Sequence, residues 1–186
     1  MKKESECRLW ALPDPLLTKY HDTEWCKISH DDRYIFEMLC LEGQSVGLSF
    51  RTIINKRAAY KKAFFNFNIN KCAKMADSYL KEMLKNKDLI RNKSKIFSIR
   101  KNAIAVKEII KEYGSLDAYV WSYTKGKQIV NKIRKNKDII TVSNISTKMS
   151  KDFKKRGMAF VGPVITYSFM QSIGMVNDHF VDCEYR

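Results

Sequence analysis

Four residues near the two ends of this 186-residue chain are of the types that bind soft metal ions. Cys7 and His21 stand near the N-terminus, and His179 and Cys183 near the C-terminus. Thiolate sulfur and imidazole nitrogen suit zinc, and two of each can fill one tetrahedron. The spacing of His179 and Cys183 puts both on one face if that segment is helical. The thirteen residues between Cys7 and His21 carry no such signature, so spacing alone leaves the site open. A tetrahedron filled by protein has no open position for an activating water. The expected ion is therefore one structural zinc that ties the chain ends together.

Two further segments mix aromatic rings with single acids. They are Tyr20-His21-Asp22-Thr23-Glu24-Trp25 and Leu41-Glu42-Gly43-Gln44-Ser45-Val46-Gly47-Leu48-Ser49-Phe50. Aromatic faces can sandwich an extruded base, and a carboxylate can accept from an exocyclic amine. Glu42 closes an apolar helix, where a negative charge opposes the helix dipole. Taken alone, it reads as a solvent-exposed acid at a helix end. Asp22 and Glu24 read as caps or as orienters of His21. Trp10, Trp25 and Tyr167 read by default as core aromatics.

A third segment, Phe153-Lys154-Lys155-Arg156-Gly157-Met158-Ala159-Phe160-Val161-Gly162-Pro163-Val164, reads as helix, glycine-bounded turn and helix. Gly157 allows a left-handed helix end. Gly162 allows close backbone approach before a helix N-terminus, whose open N–H groups favour a phosphate. Lys155 and Arg156 adjoin it. Such an element grips DNA backbone without reading sequence. On this segment alone, an ordinary helical hairpin with a basic turn accounts slightly better for the residues.

Composition bounds these readings. The chain carries 35 basic and 20 acidic residues, a net charge of +15. A polyanionic partner and a lysine-rich proteome explain that charge equally well. With 45% apolar and 12% aromatic residues, the chain can bury a full core. No run is long enough to span a membrane. Met1-Lys2-Lys3 is followed by Glu4-Ser5-Glu6 rather than an apolar stretch, so no leader is expected and the protein reads as cytoplasmic. Five cysteines without a secretion signal argue against a disulfide framework. Cys40 and Cys72 read as packing residues. Cys26 reads as packing too, with a spare ligand as the alternative.

The elements that must position these residues read as helices joined by polar turns, an all-α fold. Asp31 or Asp32 caps a helix to about Glu42, and a turn from Gly43 to Gly47 follows. Ser49 caps the next helix. Asp77 opens a short one through Leu84. Ile96, Ile99, Ala103, Val106 and Ile110 mark a helix from about Lys93 to Tyr113, ended by Gly114. Ser115 caps a helix through Trp121. Lys125 to Asn144 reads as a basic surface loop with a short helix around Ile129 to Ile133. Thr147 to Arg156 is helical, and Pro163 starts a helix that Gly174 stops.

In this order the segments resemble one family, the bacterial 3-methyladenine DNA glycosylase I (Tag) family. The strings are Asp14-Pro15, Tyr20 to Trp25, Phe36 to Gln44, Gly47-Leu48-Ser49, Ile90-Arg91-Asn92 with Lys95-Ile96, and Lys155-Arg156-Gly157 through Asn177-Asp178-His179. The likeness covers nearly the whole chain and is weakest from about Lys125 to Thr147. It implies a helix–hairpin–helix glycosylase fold over 1–186, with a zinc lobe from about 1–30 plus 175–186 and a hairpin at about 147–174. It implies that Cys7, His21, His179 and Cys183 hold the zinc. It implies that Glu42 reads the alkylated adenine, with Tyr20, Phe50 and Trp25 at the pocket. Gly47 and Leu48 would fill the gap left by the flipped nucleotide, and Lys155, Arg156, Gly157 and Gly162 would meet the backbone. The implied activity is hydrolysis of the 3-methyladenine glycosidic bond in double-stranded alkylated DNA by a monomer.

Many helix–hairpin–helix glycosylases place a catalytic Asp where this chain has Asn177. The resemblance implies that this family lacks it, which leaves Asp178 structural, a hydrogen-bond partner for a metal-bound histidine. No lysine occupies a Schiff-base position, so no lyase activity is expected. A non-catalytic damage-binding module on the same scaffold is the rival reading. Three positions depart from the family pattern: Phe50 stands for Trp, Leu17 for an aromatic, and Cys26 for Gly.

Overall fold

A computed structural model describes residues 6–186. Residues 1–5, which bear on the leader reading and on the start of the metal lobe, lie outside them. Nine α-helices lie among the described residues. They are α1 (Pro15–Thr23), α2 (Asp32–Ser45), α3 (Phe50–Ala63), α4 (Ile69–Ala73), α5 (Asp77–Met83), α6 (Lys93–Tyr113), α7 (Leu116–Ser122), α8 (Asn144–Lys155) and α9 (Pro163–Ser172).

Helix α2 is the axis of the core. Every residue from Ile35 to Ser45 is buried, and α3, α6, α7 and α9 pack around it. A helix surrounded on all sides must be apolar almost throughout or satisfy its polar groups. Most do satisfy them. Glu37 meets Arg57 at 2.6 Å and Lys61 at 3.2 Å, and Gln44 accepts from the Tyr60 hydroxyl at 3.1 Å. The helix begins at Asp31, whose carboxylate accepts from the Tyr34 N–H at 2.9 Å.

That helix runs three residues past the expected end at Glu42. Gly43 lies inside the helix, and its missing side chain leaves room for the turn between α8 and α9. A Cβ at Gly43 would come within 3.3 Å of the Phe160 Cβ. The turn is held from a second side by Asn102 of α6. Its amide donates to the Ala159 carbonyl at 3.1 Å and accepts from the Ala159 N–H at 2.9 Å.

The long helix α6 matches its expected span, with Asn92 capping the Lys95 N–H and Gly114 ending it. Ser49 and Ser115 cap α3 and α7 as expected. Helix α8 begins earlier than expected, because Ser143 and Ser146 form a reciprocal capping pair. The region from Lys125 to Asn144 differs more. No helix forms at Ile129 to Ile133. Instead β1 (Ile129–Val130) pairs in parallel with β2 (Val176–Asn177), and Ile133 bridges Phe180. Two-residue strands leave no alternation to read in the sequence. The segment of His179 and Cys183 is not helical either, but a succession of turns after β2.

Segment 26–29 docks on the end of α9. Cys26 and Ser29 N–H groups donate to the Gln171 and Ile173 carbonyls, at 2.9 and 3.1 Å. Gly174 has φ of 77°, and a Cβ there would lie 2.4 Å from the Lys27 backbone. Both the conformation and the contact exclude a side chain. Gly174→Ala is expected to destabilise the protein by about 3 kcal/mol or more. Urea denaturation checks this, and an unchanged midpoint would contradict the docking.

Candidate active site and metal centre

The four metal-type ligands converge. Cys7, His21, His179 and Cys183 are all buried, and their ligand atoms lie within 4.8 Å of one another. The Cys7 sulfur is 3.4 Å from His21 Nε2 and 3.5 Å from His179 Nδ1. The Cys183 sulfur is 3.4 Å from His179 Nδ1. A tetrahedron with ordinary zinc–sulfur and zinc–nitrogen bonds has sulfur-to-nitrogen edges of about 3.6 Å. The donors are thus spaced for one such ion.

The outer ring nitrogens are held as well. His21 Nδ1 donates to the Asp22 carboxylate at 2.8 Å, and His179 Nε2 donates to the Trp25 carbonyl at 3.1 Å. Each imidazole therefore turns its lone pair towards the sulfurs. Burial pushes the Cys7 thiol up to about 12 and His179 down to about 4. An ion there exchanges for thiol protons and meets neutral imidazoles. Asp22, read as an orienter, has that role and also pairs with Arg8. Asp178 does not touch either histidine. It accepts from Tyr167, Gln171 and Asn131, each at 2.7 Å.

A hollow of about 200 Å³ opens beside this cluster, lined by Trp10, Tyr20, Trp25, Glu42, Phe50, Ser168 and Gln171. That is below the range of drug-sized pockets, roughly 300 Å³ upward, and suits a single ring system. The sequence-derived set Glu42, Tyr20, Phe50 and Trp25 is brought together. Tyr20 and Phe50 face each other with ring centroids 5.2 Å apart. Trp10 is 41% exposed and forms a wall of the hollow, not the core. Ser168 and Gln171 were not anticipated. They lie three residues apart in the second half of α9, and their shared face gave the only signal. Larger hollows exist, such as the 440 Å³ groove along α6 beside Phe160. None has the chemistry of this one.

That chemistry is a buried carboxylate with no partner. Glu42 is 5% exposed, so it is not the solvent-exposed acid its position suggested. Neither a cation nor a hydrogen-bond donor of the described residues reaches it, and burial alone raises its pKa from 4.5 to about 8. Nearby, the Tyr20 hydroxyl is buried and also lacks a partner among the described residues.

The wedge and backbone candidates lie elsewhere. Gly47 and Leu48 form the turn between α2 and α3, with Gly47 at φ 73°. Gly157 (φ 84°) and Gly162 bound the turn between α8 and α9, and Lys155 is exposed beside it. Arg156 pairs with Glu112 at 2.7 Å and lies over the Tyr113 and Tyr119 rings. Cys26 sits at φ 62°, which accounts for the glycine in the family pattern; its sulfur accepts from the Asp178 N–H.

The Glu42 shift has a direct consequence for stability. Folding raises this pKa, so the native state holds the proton more tightly than the unfolded chain. The contribution is complete below about pH 4.5 and is lost as pH rises towards 8. Glu42→Gln, which carries no charge, should therefore gain stability over the wild type at pH 8 and little at pH 5. The difference is on the order of a few kcal/mol. Ligand-free urea denaturation at both pH values checks it, and equal effects at both would refute the buried state.

Comparison with known proteins gives a consistent answer. A family model described as methyladenine glycosylase matches residues 10–186. The DNA-3-methyladenine glycosylase of Haemophilus influenzae is 38% identical over 174 residues, covering 94% of each chain. DNA-3-methyladenine glycosylase 1 of Escherichia coli is also 38% identical, covering 94% of this chain and 93% of its own. A 3-methyladenine DNA glycosylase I structure from Staphylococcus aureus superposes with a TM-score of 0.94 at 33% identity, over 97% of this chain and 95% of that one. A variant 3-methyladenine DNA glycosylase I solved in complex with 3-methyladenine gives the same TM-score, also at 33% identity, over 97% and 96%. The chain belongs to the methyladenine glycosylase family.

Proposed function

We propose that this protein is a monofunctional DNA glycosylase of base-excision repair that releases 3-methyladenine from alkylated double-stranded DNA. The observation that carries the reading is the unpartnered Glu42 carboxylate in an aromatic hollow. An adenine methylated at N3 within DNA is cationic. It supplies both the countercharge and, through its amino group, the donor that Glu42 lacks. Unmodified adenine brings the amino group without the charge, so the site favours the damaged base.

The same positive charge weakens the glycosidic bond, so little acid catalysis is needed. The bond to C1′ breaks with its electron pair going to N9, and the cationic purine leaves as a neutral base. Water adds to C1′ and gives up a proton. Phe50 and the tryptophans hold the flipped base by stacking, and the Tyr20 hydroxyl is free to bond to it. In this reading α8, its glycine-bounded turn and α9 form a helix–hairpin–helix element. The open N–H groups at the start of α9 and exposed Lys155 meet backbone phosphate. Leu48 fills the gap in the duplex. The enzyme acts as a monomer in the cytoplasm, and no helix among the described residues is long and apolar enough to cross a membrane.

The four ligands fit one zinc ion by number, type and spacing. Its role is structural, since Cys7, His21, His179 and Cys183 complete the tetrahedron. When bound, the ion neutralises two thiolates and fixes the rings beside Trp25.

Two measurements check these proposals. Chromatography of bases released from methylated duplex should detect free 3-methyladenine, with Glu42→Gln slower by roughly 100-fold or more. Tight binding of methylated duplex without release would instead identify a damage-binding module. Metal analysis should find one zinc per chain, and Cys183→Ser should lose it with a fall in melting temperature of roughly 10 °C or more. Stoichiometric zinc and an unchanged melting temperature in that variant would remove the staple.

A further inference from the structure

A cation from another helix holds the end of α2. Lys95 lies in the first turn of α6 and is buried. Its ammonium donates to the Gln44 carbonyl at 2.8 Å and to the Val46 carbonyl at 2.6 Å. These oxygens belong to the open, negative end of the helix. Gln44 replies across the same contact. Its Nε2 donates to the Lys95 carbonyl at 2.9 Å, while its Oε1 accepts from Tyr60. Tyr60 in turn accepts from the Ile90 N–H at 3.2 Å, so the approach to α6 is fastened too.

What this clasp holds is the turn after α2. Leu48 N–H donates to the Ser45 carbonyl at 2.7 Å, and Ser49 opens α3. At its tip Val46 and Leu48 are large, apolar and exposed, at 37% and 42%. A buried ammonium must be satisfied. Here it is satisfied by main chain, so it fixes backbone position.

We infer that Lys95 is a positioning residue for base extrusion, holding the turn from Val46 to Ser49 so that Leu48 can replace the flipped nucleotide. The inference rests on the glycosylase reading. An apolar wedge keeps a duplex open only if the backbone behind it does not yield. The Lys95 ammonium bonds to main chain and does not line the base hollow, so its effect is on extrusion and not on bond cleavage.

The test compares single-turnover 3-methyladenine release from a duplex with release from the same lesion strand unpaired. Lys95→Met is expected to slow release from the duplex roughly tenfold or more and to leave the unpaired strand little changed. Binding of free 3-methyladenine should be unaltered. Leu48→Ala should show the same pattern, and the double variant should be no slower than the slower single, because both act on one step. Should Lys95→Met fail to fold by circular dichroism, Lys95→Gln takes its place with the same duplex-to-strand ratio. Equal losses on both substrates, an unchanged ratio, or multiplying effects in the double variant overturn the inference alone. A wild-type protein that releases no base overturns the glycosylase reading and the inference with it.

Discussion

An ionised carboxylate removed from water costs several kcal/mol unless a partner arrives with it. Most acids near the core of this protein have one. Glu37, one and a half turns before Glu42 on the same helix, is met by Arg57 and Lys61. Glu24 is also taken by Arg57, and Asp178 by three donors. Glu42 alone among the acids of α2 finds no partner among the described residues, in a hollow walled by rings. Its neighbours supply stacking surface and no charge. The hollow is therefore unfavourable when empty and favourable when a cation fills it, which is the condition for selecting a charged base over its neutral parent.

The walls of that hollow depend on the cluster of Cys7, His21, His179 and Cys183. Trp25 stacks on His21 and meets His179 edge-on, with centroids 5.6 and 4.6 Å apart. Its carbonyl accepts from His179. Trp10 then packs edge-on to Trp25 at 5.3 Å. The ligand rings are thus part of the same aromatic stack as the pocket wall. Anything that moves them moves the surface on which the base would rest, although none of the four residues lines the hollow itself. Elsewhere in the lining, Asp178 holds Gln171. The two parts are built from chain segments that are distant in sequence, and each is anchored from behind.

Much of this was legible in the residues. Caps at Ser49 and Ser115, a proline at the first position of α9 and the apolar spacing of α6 are local signals, and the helices form where those signals stand. The grouping of Cys7, His21, His179 and Cys183, and that of Tyr20, Trp25, Glu42 and Phe50, was legible through their order along the chain. What was not legible depended on tertiary contact. Gly43 reads as a turn residue, yet it lies inside α2 and its missing side chain makes room for Phe160. Glu42 reads as exposed, since nothing local says that its helix is surrounded. The pairing of β1 with β2 joins residues near 130 and 176 through two residues each, too few for a pattern. Asn102 looks like a polar residue on a solvated helix face, and its hold on Ala159 appears only once α6 and the hairpin turn meet.

The parallel pairing of β1 with β2 and the closure of Cys7 against Cys183 have a consequence for synthesis. The first ligand and the first pocket wall leave the ribosome long before their partners exist. Helices α2 to α7 can pack on one another as they emerge, because their mutual partners are all present once Ser122 has been made, although α9 is still missing from α2. The hollow cannot. It needs Ser168 and Gln171 for one wall and His179 for the brace of another. Until the last turns are made, Glu42 and its aromatic neighbours lack that cover. The hollow is thus among the last parts of the molecule to exist, and a chain cut short before Ser168 keeps most of its helices without a finished pocket.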